Sequence, residues 1–196
     1  MSKLFVDEIV HQSSQGSGTI TIGASGETIS VPTGATMTVP NGGLSGQNYP
    51  AFEARLSSSQ ATDHNTTTKI QCGDEIFDTD SAYDASINYR FTPQVAGKYF
   101  CYFGLRGWAG GSAPDGTRFL YIQPYKNGSL IRNYASVDTD ANEMRAGSVT
   151  ASAVIEFNGS SDYLEFYGLI FTQNGLNPGV QLLNDQTYFG AYRIGA

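Results

Sequence analysis

The sequence predicts an all-β protein, a sandwich or jelly roll of many short strands, on three observations. Gly, Ser, Thr, Asn, Tyr and Phe dominate while charged residues make up 15% of the chain, a composition that suits short strands and tight turns. Segments of strand character recur from Tyr49 onward with turn residues between them. No stretch sustains a helical period, and a run of many short strands of this kind is what a jelly roll requires.

The 196 residues suit one ordinary domain with an appendage. Residues 1–48 are expected to form an N-terminal attachment arm with short β-turn repeats, and residues 49–196 the main domain. The arm opens with Leu4-Phe5-Val6 and Ile9-Val10 among acidic residues, then meets the breaker run Ser13-Ser14-Gln15-Gly16-Ser17-Gly18, so it reads as a tether with a hinge. An internal repeat follows: Thr28-Ile29-Ser30-Val31-Pro32-Thr33-Gly34 aligns with Thr36-Met37-Thr38-Val39-Pro40-Asn41-Gly42, and Thr19-Ile20-Thr21-Ile22-Gly23 is a looser first copy. Each unit is an alternating strand closed by a Pro- or Gly-based turn. Such a unit has nothing of its own to bury its apolar face, so two arrangements are open: an intertwined three-chain stalk, or an extended arm lying on a partner surface. The run Gly42-Gly43-Leu44-Ser45-Gly46-Gln47-Asn48 marks the boundary.

In the main domain, strands are expected at 52–56, 68–72, 88–91, 97–106, 117–126, 129–136, 148–157, 162–172 and 187–194. Tyr99-Phe100-Cys101-Tyr102-Phe103 is apolar on both alternating faces, as for a strand covered on two sides. One face of a sandwich strand normally meets solvent, so burial between subunits is expected.

Several motifs resemble those of C1q/TNF-like domains. Ala51-Phe52-Glu53-Ala54-Arg55-Leu56 is similar to the family's opening A-F-x-A-x-L, and Lys69-Ile70-Gln71-Cys72, Ile76-Phe77-Asp78 and Tyr83-Asp84 follow in the family's order. The most specific stretch, Phe91-Thr92-Pro93-Gln94-Val95-Ala96-Gly97-Lys98-Tyr99-Phe100-Cys101-Tyr102, resembles F-T-x-P-x-x-G-x-Y-x-F, one residue shorter before the proline. Tyr125-Lys126-Asn127-Gly128 looks like the K-N-G hairpin, where Asn-Gly is the favoured type I′ pair. Gly159-Ser160-Ser161-Asp162-Tyr163-Leu164 and the closing Tyr188-Phe189-Gly190-Ala191-Tyr192-Arg193-Ile194 resemble the later strands, although Arg193 stands where the family is apolar. The resemblance implies a C1q/TNF-like jelly-roll sandwich that is homotrimeric, with Tyr99, Phe103, Tyr167, Phe189 and Tyr192 at the trimer interface. The animal family's collagen stem is missing.

The first ten residues, with Gly18-Thr19-Ile20-Thr21-Ile22-Gly23 and Pro32-Thr33-Gly34-Ala35-Thr36, look like the opening of virion structural proteins of marine tailed phages. That likeness implies a bacteriophage virion structural protein, a capsid decoration protein anchored by Leu4, Phe5, Val6 and Ile9 on the major capsid protein or another virion protein. The alternative is a tail-fibre or receptor-binding head whose loops 57–67, 107–116 and 138–147 recognise a host surface glycan or protein, with Trp108, the single tryptophan, as the ligand-binding residue.

Other chemistry is sparse. Eighteen acidic against 11 basic residues give a net charge of −7, with no Lys/Arg cluster, so no nucleic acid partner is expected. The opening lacks the apolar core of an export signal and no run reaches membrane length, so the expected route is synthesis in the host cytoplasm with no membrane insertion. Catalytic residues: none are expected, since His11 and His64 are the only histidines and Cys101 sits among aromatics. Cys72 and Cys101 are expected to stay reduced in such a compartment. The 107–111 stretch lacks a P-loop lysine and reads as a loop. No cofactor and no metal site is expected, and the carboxylates that would serve Ca²⁺ are Asp74, Glu75, Asp78 and Asp80, or Asp138 and Asp140.

Overall fold

The computed structural model describes residues 30–36, 50–109, 116–139, 144–173, 175, 180–182 and 186–195. The chain divides into two units, Met1–Gln47 and Asn48–Ala196. In the first, the described residues hold one turn, in which the Ala35 N–H donates to the Pro32 carbonyl at 3.0 Å and Gly34 takes φ +88°. That is the left-handed conformation a type II turn demands at its third position, and it closes the repeat copy that ends in Pro32-Thr33-Gly34. The anchor residues Leu4, Phe5, Val6 and Ile9 lie outside the described residues, as do the other residues of 1–10 and residues 18–23 of the stretch that resembles phage proteins; only its 32–36 part is described.

Among the described residues the second unit carries fourteen strands: β1 Ala51–Arg55, β2 Gln60–Ala61, β3 Thr68–Lys69, β4 Asp74–Asp78, β5 Tyr83–Asp84, β6 Arg90–Phe91, β7 Gly97–Ala109, β8 Thr117–Lys126, β9 Ser129–Leu130, β10 Ala135–Asp138, β11 Ala146–Phe157, β12 Leu164–Thr172, β13 Val180–Leu182 and β14 Tyr188–Gly195. They form two antiparallel sheets. In one, β4, β1, β14, β7 and β11 lie side by side, and β13 with β2 continues beyond β14 along the far end of β7. The other runs β10-β8-β12-β6-β5, with β3 on β12 and β9 on β8. This is an all-β jelly-roll sandwich, as the sequence predicts.

Turn chemistry explains the local details. Asn127 and Gly128 both take positive φ, 52° and 74°, the type I′ pair that joins β8 to β9. The expected single strand 129–136 splits into β9 and β10. The Ile131 N–H donates to the Pro124 carbonyl, but proline has no N–H to return a bond, and the ladder breaks there. The expected loop from Gly107 is also corrected: β7 runs on through Gly107, Trp108 and Ala109. It is held by β11 through Ala146↔Trp108 and by β13 through Gln181↔Trp108. Gly107 serves packing, because a Cβ there would lie 2.3 Å from Leu120 Cδ2 on the facing sheet.

The core between the sheets is largely aromatic. Phe52 stacks on Tyr83 and Phe91 at 4.7 and 4.4 Å and meets Phe189 edge-on at 4.9 Å, while Phe189 stacks on Phe103 at 5.1 Å. Phe103 reaches Phe166 of the opposite sheet at 5.4 Å, and Tyr99 packs on Phe157 at 5.3 Å. Each such ring taken out of water stabilises the fold by about 1.5–3 kcal/mol. This overturns part of the interface expectation: Tyr99, Phe103 and Phe189 are 0% exposed inside a single subunit and have no surface to offer a neighbour.

Candidate functional site

Strand alternation places the remaining apolar residues of β7 and β14 on the opposite side, away from the core. Phe100 and Tyr102 of β7 face outward with Tyr188 and Tyr192 of β14, and register sets Tyr192 and Val154 on either side of Phe100. The rings meet in a chain, Tyr192 to Phe100 at 5.4 Å, Phe100 to Tyr102 at 6.4 Å and Tyr102 to Tyr188 at 6.2 Å. Two glycines make room for them. A Cβ on Gly104 would lie 2.4 Å from the Tyr188 ring, and one on Gly190 would lie 2.2 Å from the Tyr102 ring, so each tyrosine lies flat across its cross-strand glycine. The Tyr102 hydroxyl donates to a Glu53 carboxylate oxygen at 2.8 Å, which fixes that ring. Burial, then this hydrogen bond, push the Tyr102 phenol well above its ordinary pKa, so it stays a neutral donor.

Among the described residues the aromatic tiling is partly open, with Tyr192 46%, Val154 56% and Ile194 51% exposed and Phe100, Tyr102 and Tyr188 half-buried. The outer face of the other sheet differs. There Tyr167 packs on Tyr125 at 4.4 Å beneath the Lys69 ammonium, and Lys69 pairs with Glu165. Thr67 donates to Gln123 at 3.0 Å, and the His64 ring covers Phe171 at 4.4 Å. Of the five expected interface residues, Tyr192 lies on the open face, Tyr167 on the covered one, and the other three in the core. Sequence reasoning expected burial between subunits for the Tyr99–Phe103 strand but did not single out Phe100, Tyr102 or Tyr188 as interface residues. The signal was parity: Lys98, Gly104 and Arg106 share their face of β7, and charged residues mark the side away from the core.

Farther along the same face the chemistry changes. Arg106 and Trp108 of β7 border an open cavity of about 360 Å³ with Arg145 and Ala146. The Arg145 guanidinium lies over the Trp108 ring at 5.9 Å. Arg106 Nη1 donates to Gln186 Oε1 at 2.6 Å and reaches Ser148 Oγ at 3.5 Å. Residues 110–115 and 140–143, the remainder of the loops expected to recognise a ligand here, lie outside the described residues.

Several of the groups singled out for catalysis or metal binding are engaged elsewhere, while His11 and Asp140 lie outside the described residues. Cys72 and Cys101 are free and buried, and burial pushes both thiols far above their ordinary range. His64 Nδ1 accepts from the Thr172 backbone N–H at 3.2 Å and meets its hydroxyl at 2.8 Å, which ties the ring to β12. Asp74 pairs with Arg55 at 2.8 Å, and Asp78 accepts from the Asp80 and Tyr83 backbone N–H groups. Among the described residues no three His, Cys, Asp or Glu side chains converge on a common point.

A scan against protein-family models finds no match, and a search of curated proteins finds none either. Solved structures do match. The crystal structure of murine APRIL at pH 8.0 aligns with TM-score 0.51 and 9% identity over 75% of this chain and 100% of that one. The structure at pH 8.5 gives TM-score 0.50 with the same identity and coverage. Eiger TNF from S. frugiperda aligns over 75% of this chain and 92% of its own at TM-score 0.48 and 9% identity. At such identity the APRIL likeness carries the fold: the sandwich is a TNF-like jelly roll.

Proposed function

We propose that the chain is a non-catalytic, homotrimeric module of a bacteriophage virion surface, a capsid decoration protein held to the major capsid protein or another virion protein by its N-terminal arm. The observation that carries the assembly is the partly open aromatic tiling of Phe100, Tyr102, Tyr188 and Tyr192. A flat apolar face of this kind on a soluble sandwich calls for a partner. A second copy is the fitting one, because the C1q/TNF-like domains that the sequence resembles bury such faces around a threefold axis. The virion half of the reading is supported by the N-terminal likeness to phage structural proteins. Synthesis in the host cytoplasm agrees with two reduced, buried thiols.

Sedimentation equilibrium tests the assembly. The wild type is expected to run as a trimer whose melting temperature rises with protein concentration, since association stabilises by mass action. Tyr192→Asp is expected to give a folded monomer, because the carboxylate would be buried without a partner only in the assembly. A well-folded wild-type monomer at micromolar concentration would overturn the proposal. Quantitative mass spectrometry of purified virions tests location. A copy number comparable to the major capsid protein fits decoration, a few copies per tail fit a tail-fibre or receptor-binding head, and absence from virions removes both. The second reading draws on the cavity beside Trp108.

A further inference from the structure

We propose that the cavity bordered by Arg106, Trp108 and Arg145 binds a carboxylate-bearing saccharide, such as a uronate or sialate unit of a glycan. The inference goes beyond the assembly reading and does not rest on it. Its first ground is charge. The chain carries a net −7, and Arg55, Lys69 and Lys126 each hold a carboxylate. Arg106 and Arg145 pair with no carboxylate among the described residues, as is also true of Arg90, Arg132 and Arg193, but these two share one cavity. The acceptors Arg106 meets, Gln186 Oε1 and Ser148 Oγ, are neutral, and its buried Nε meets none among the described residues. Two guanidinium groups facing one space repel each other unless an anion joins them, and the planar fork of arginine binds an oxyanion such as a carboxylate bidentately.

The second ground is shape. Trp108 sits on a strand paired on both sides, which fixes its backbone, and its indole forms an apolar wall of the cavity with the Arg145 guanidinium over it. Gln186 and Ser148 hold the Arg106 guanidinium at the cavity through neutral amide and hydroxyl oxygens. The cavity, about 360 Å³, lies within the ~300–1,000 Å³ range of small-molecule sites. An aromatic wall beside two cations describes a receptor for an acidic sugar ring better than one for a neutral sugar or a bare inorganic anion.

The chain supplies its own reporter, because Trp108 is its single tryptophan and intrinsic indole fluorescence reads this cavity alone. The assembled full chain is titrated with oligosaccharides containing glucuronate, galacturonate or N-acetylneuraminate, with their methyl esters, and with sulfate. At least one acidic oligosaccharide is expected to give a saturable change that weakens with added salt, its ester binding about tenfold less or worse. Arg145→Gln and Arg106→Gln are each expected to weaken binding about tenfold or more while near-ultraviolet circular dichroism and oligomeric mass stay unchanged. Arg145 is the exposed member, so its variant decides the matter if Arg106→Gln disturbs the fold. No saturable change with any acidic oligosaccharide, equal affinity for ester and acid, saturation by sulfate alone, or undiminished binding by Arg145→Gln overturns the proposal. Because assembly is read by sedimentation, failure here leaves the trimer reading untouched.

Discussion

Phe189 and Tyr192 stand three residues apart on one strand and are expected to respond to mutation in opposite ways. Phe189 is stacked on Phe103 and meets Phe52 edge-on in the core. Phe189→Ala should therefore lower unfolding free energy by about 3–5 kcal/mol in denaturant titration, through lost burial and the cavity left behind. A loss below about 1 kcal/mol would contradict the core placement. Tyr192 lies on the open face, so its truncation should leave the single subunit nearly as stable and act on association instead. Within Tyr99–Phe103 itself, a strand apolar on both faces gives period-two reasoning no contrast to work with, so the two roles separate only through the flanking Lys98 and Arg106, which share the outer face. Arg193, the departure from the family pattern, also finds its explanation at this scale: its Nε donates to the Ala96 carbonyl at 3.1 Å, so the charge sits at the strand end and outside the core.

At the scale of elements, the turns were the most legible features, since their chemistry is local. Asn127-Gly128 announces a two-residue hairpin, and the structure has it with both residues at positive φ. The short β2, β4, β5 and β13 were not legible, because two- to five-residue strands draw their stability from partners distant in sequence, as β13 does from β7 and β2. The β11–β12 turn joins this hairpin through Asp162, whose carboxylate takes the Lys126 ammonium at 2.8 Å, the Asn127 amide at 2.8 Å and the Asn158 backbone N–H at 3.0 Å. Lys126 first, then Asn127, hold its pKa below the ordinary carboxylate range. A carboxyl whose pKa is lower folded than unfolded adds stability above its unfolded value, near ~3.9, and loses it as pH falls through the folded one. Asp84, with its pKa held down by the Ile87 and Ser86 backbone N–H groups, adds to the same slope. Urea midpoints should thus fall as pH drops below about 4, and Asp162→Asn should be destabilised by about 1 kcal/mol at neutral pH with a shallower acid slope. An unchanged acid slope in that variant would show that the turn carries no such linkage.

For the whole molecule, fold class was readable from composition, turn spacing and motif order, because all three report the same architecture. The site was not. Trp108 looked like a loop residue because Gly107 and the glycines after it signal a break, whereas Gly107 exists to let the facing sheet approach. The division of labour along the outer face, aromatic toward Phe100 and cationic toward Arg106, depends on cross-strand register, which no linear pattern contains.

The two buried thiols give the protein an internal clock. Cys101 lies mid-strand in β7 and Cys72 in the coil before β4, both 0% exposed, so neither can meet an alkylating reagent until its surroundings open. With excess reagent, Cys101 should be modified at the rate of global unfolding, since its strand is paired along both edges by β11 and β14. Cys72 should react sooner, through local opening of the β3–β4 segment, and mass spectrometry of timed samples would resolve the two events. Equal rates at every denaturant concentration would mean that the sandwich opens as one unit. A pair of thiols that never bonded would then report how tightly the two sheets are held together.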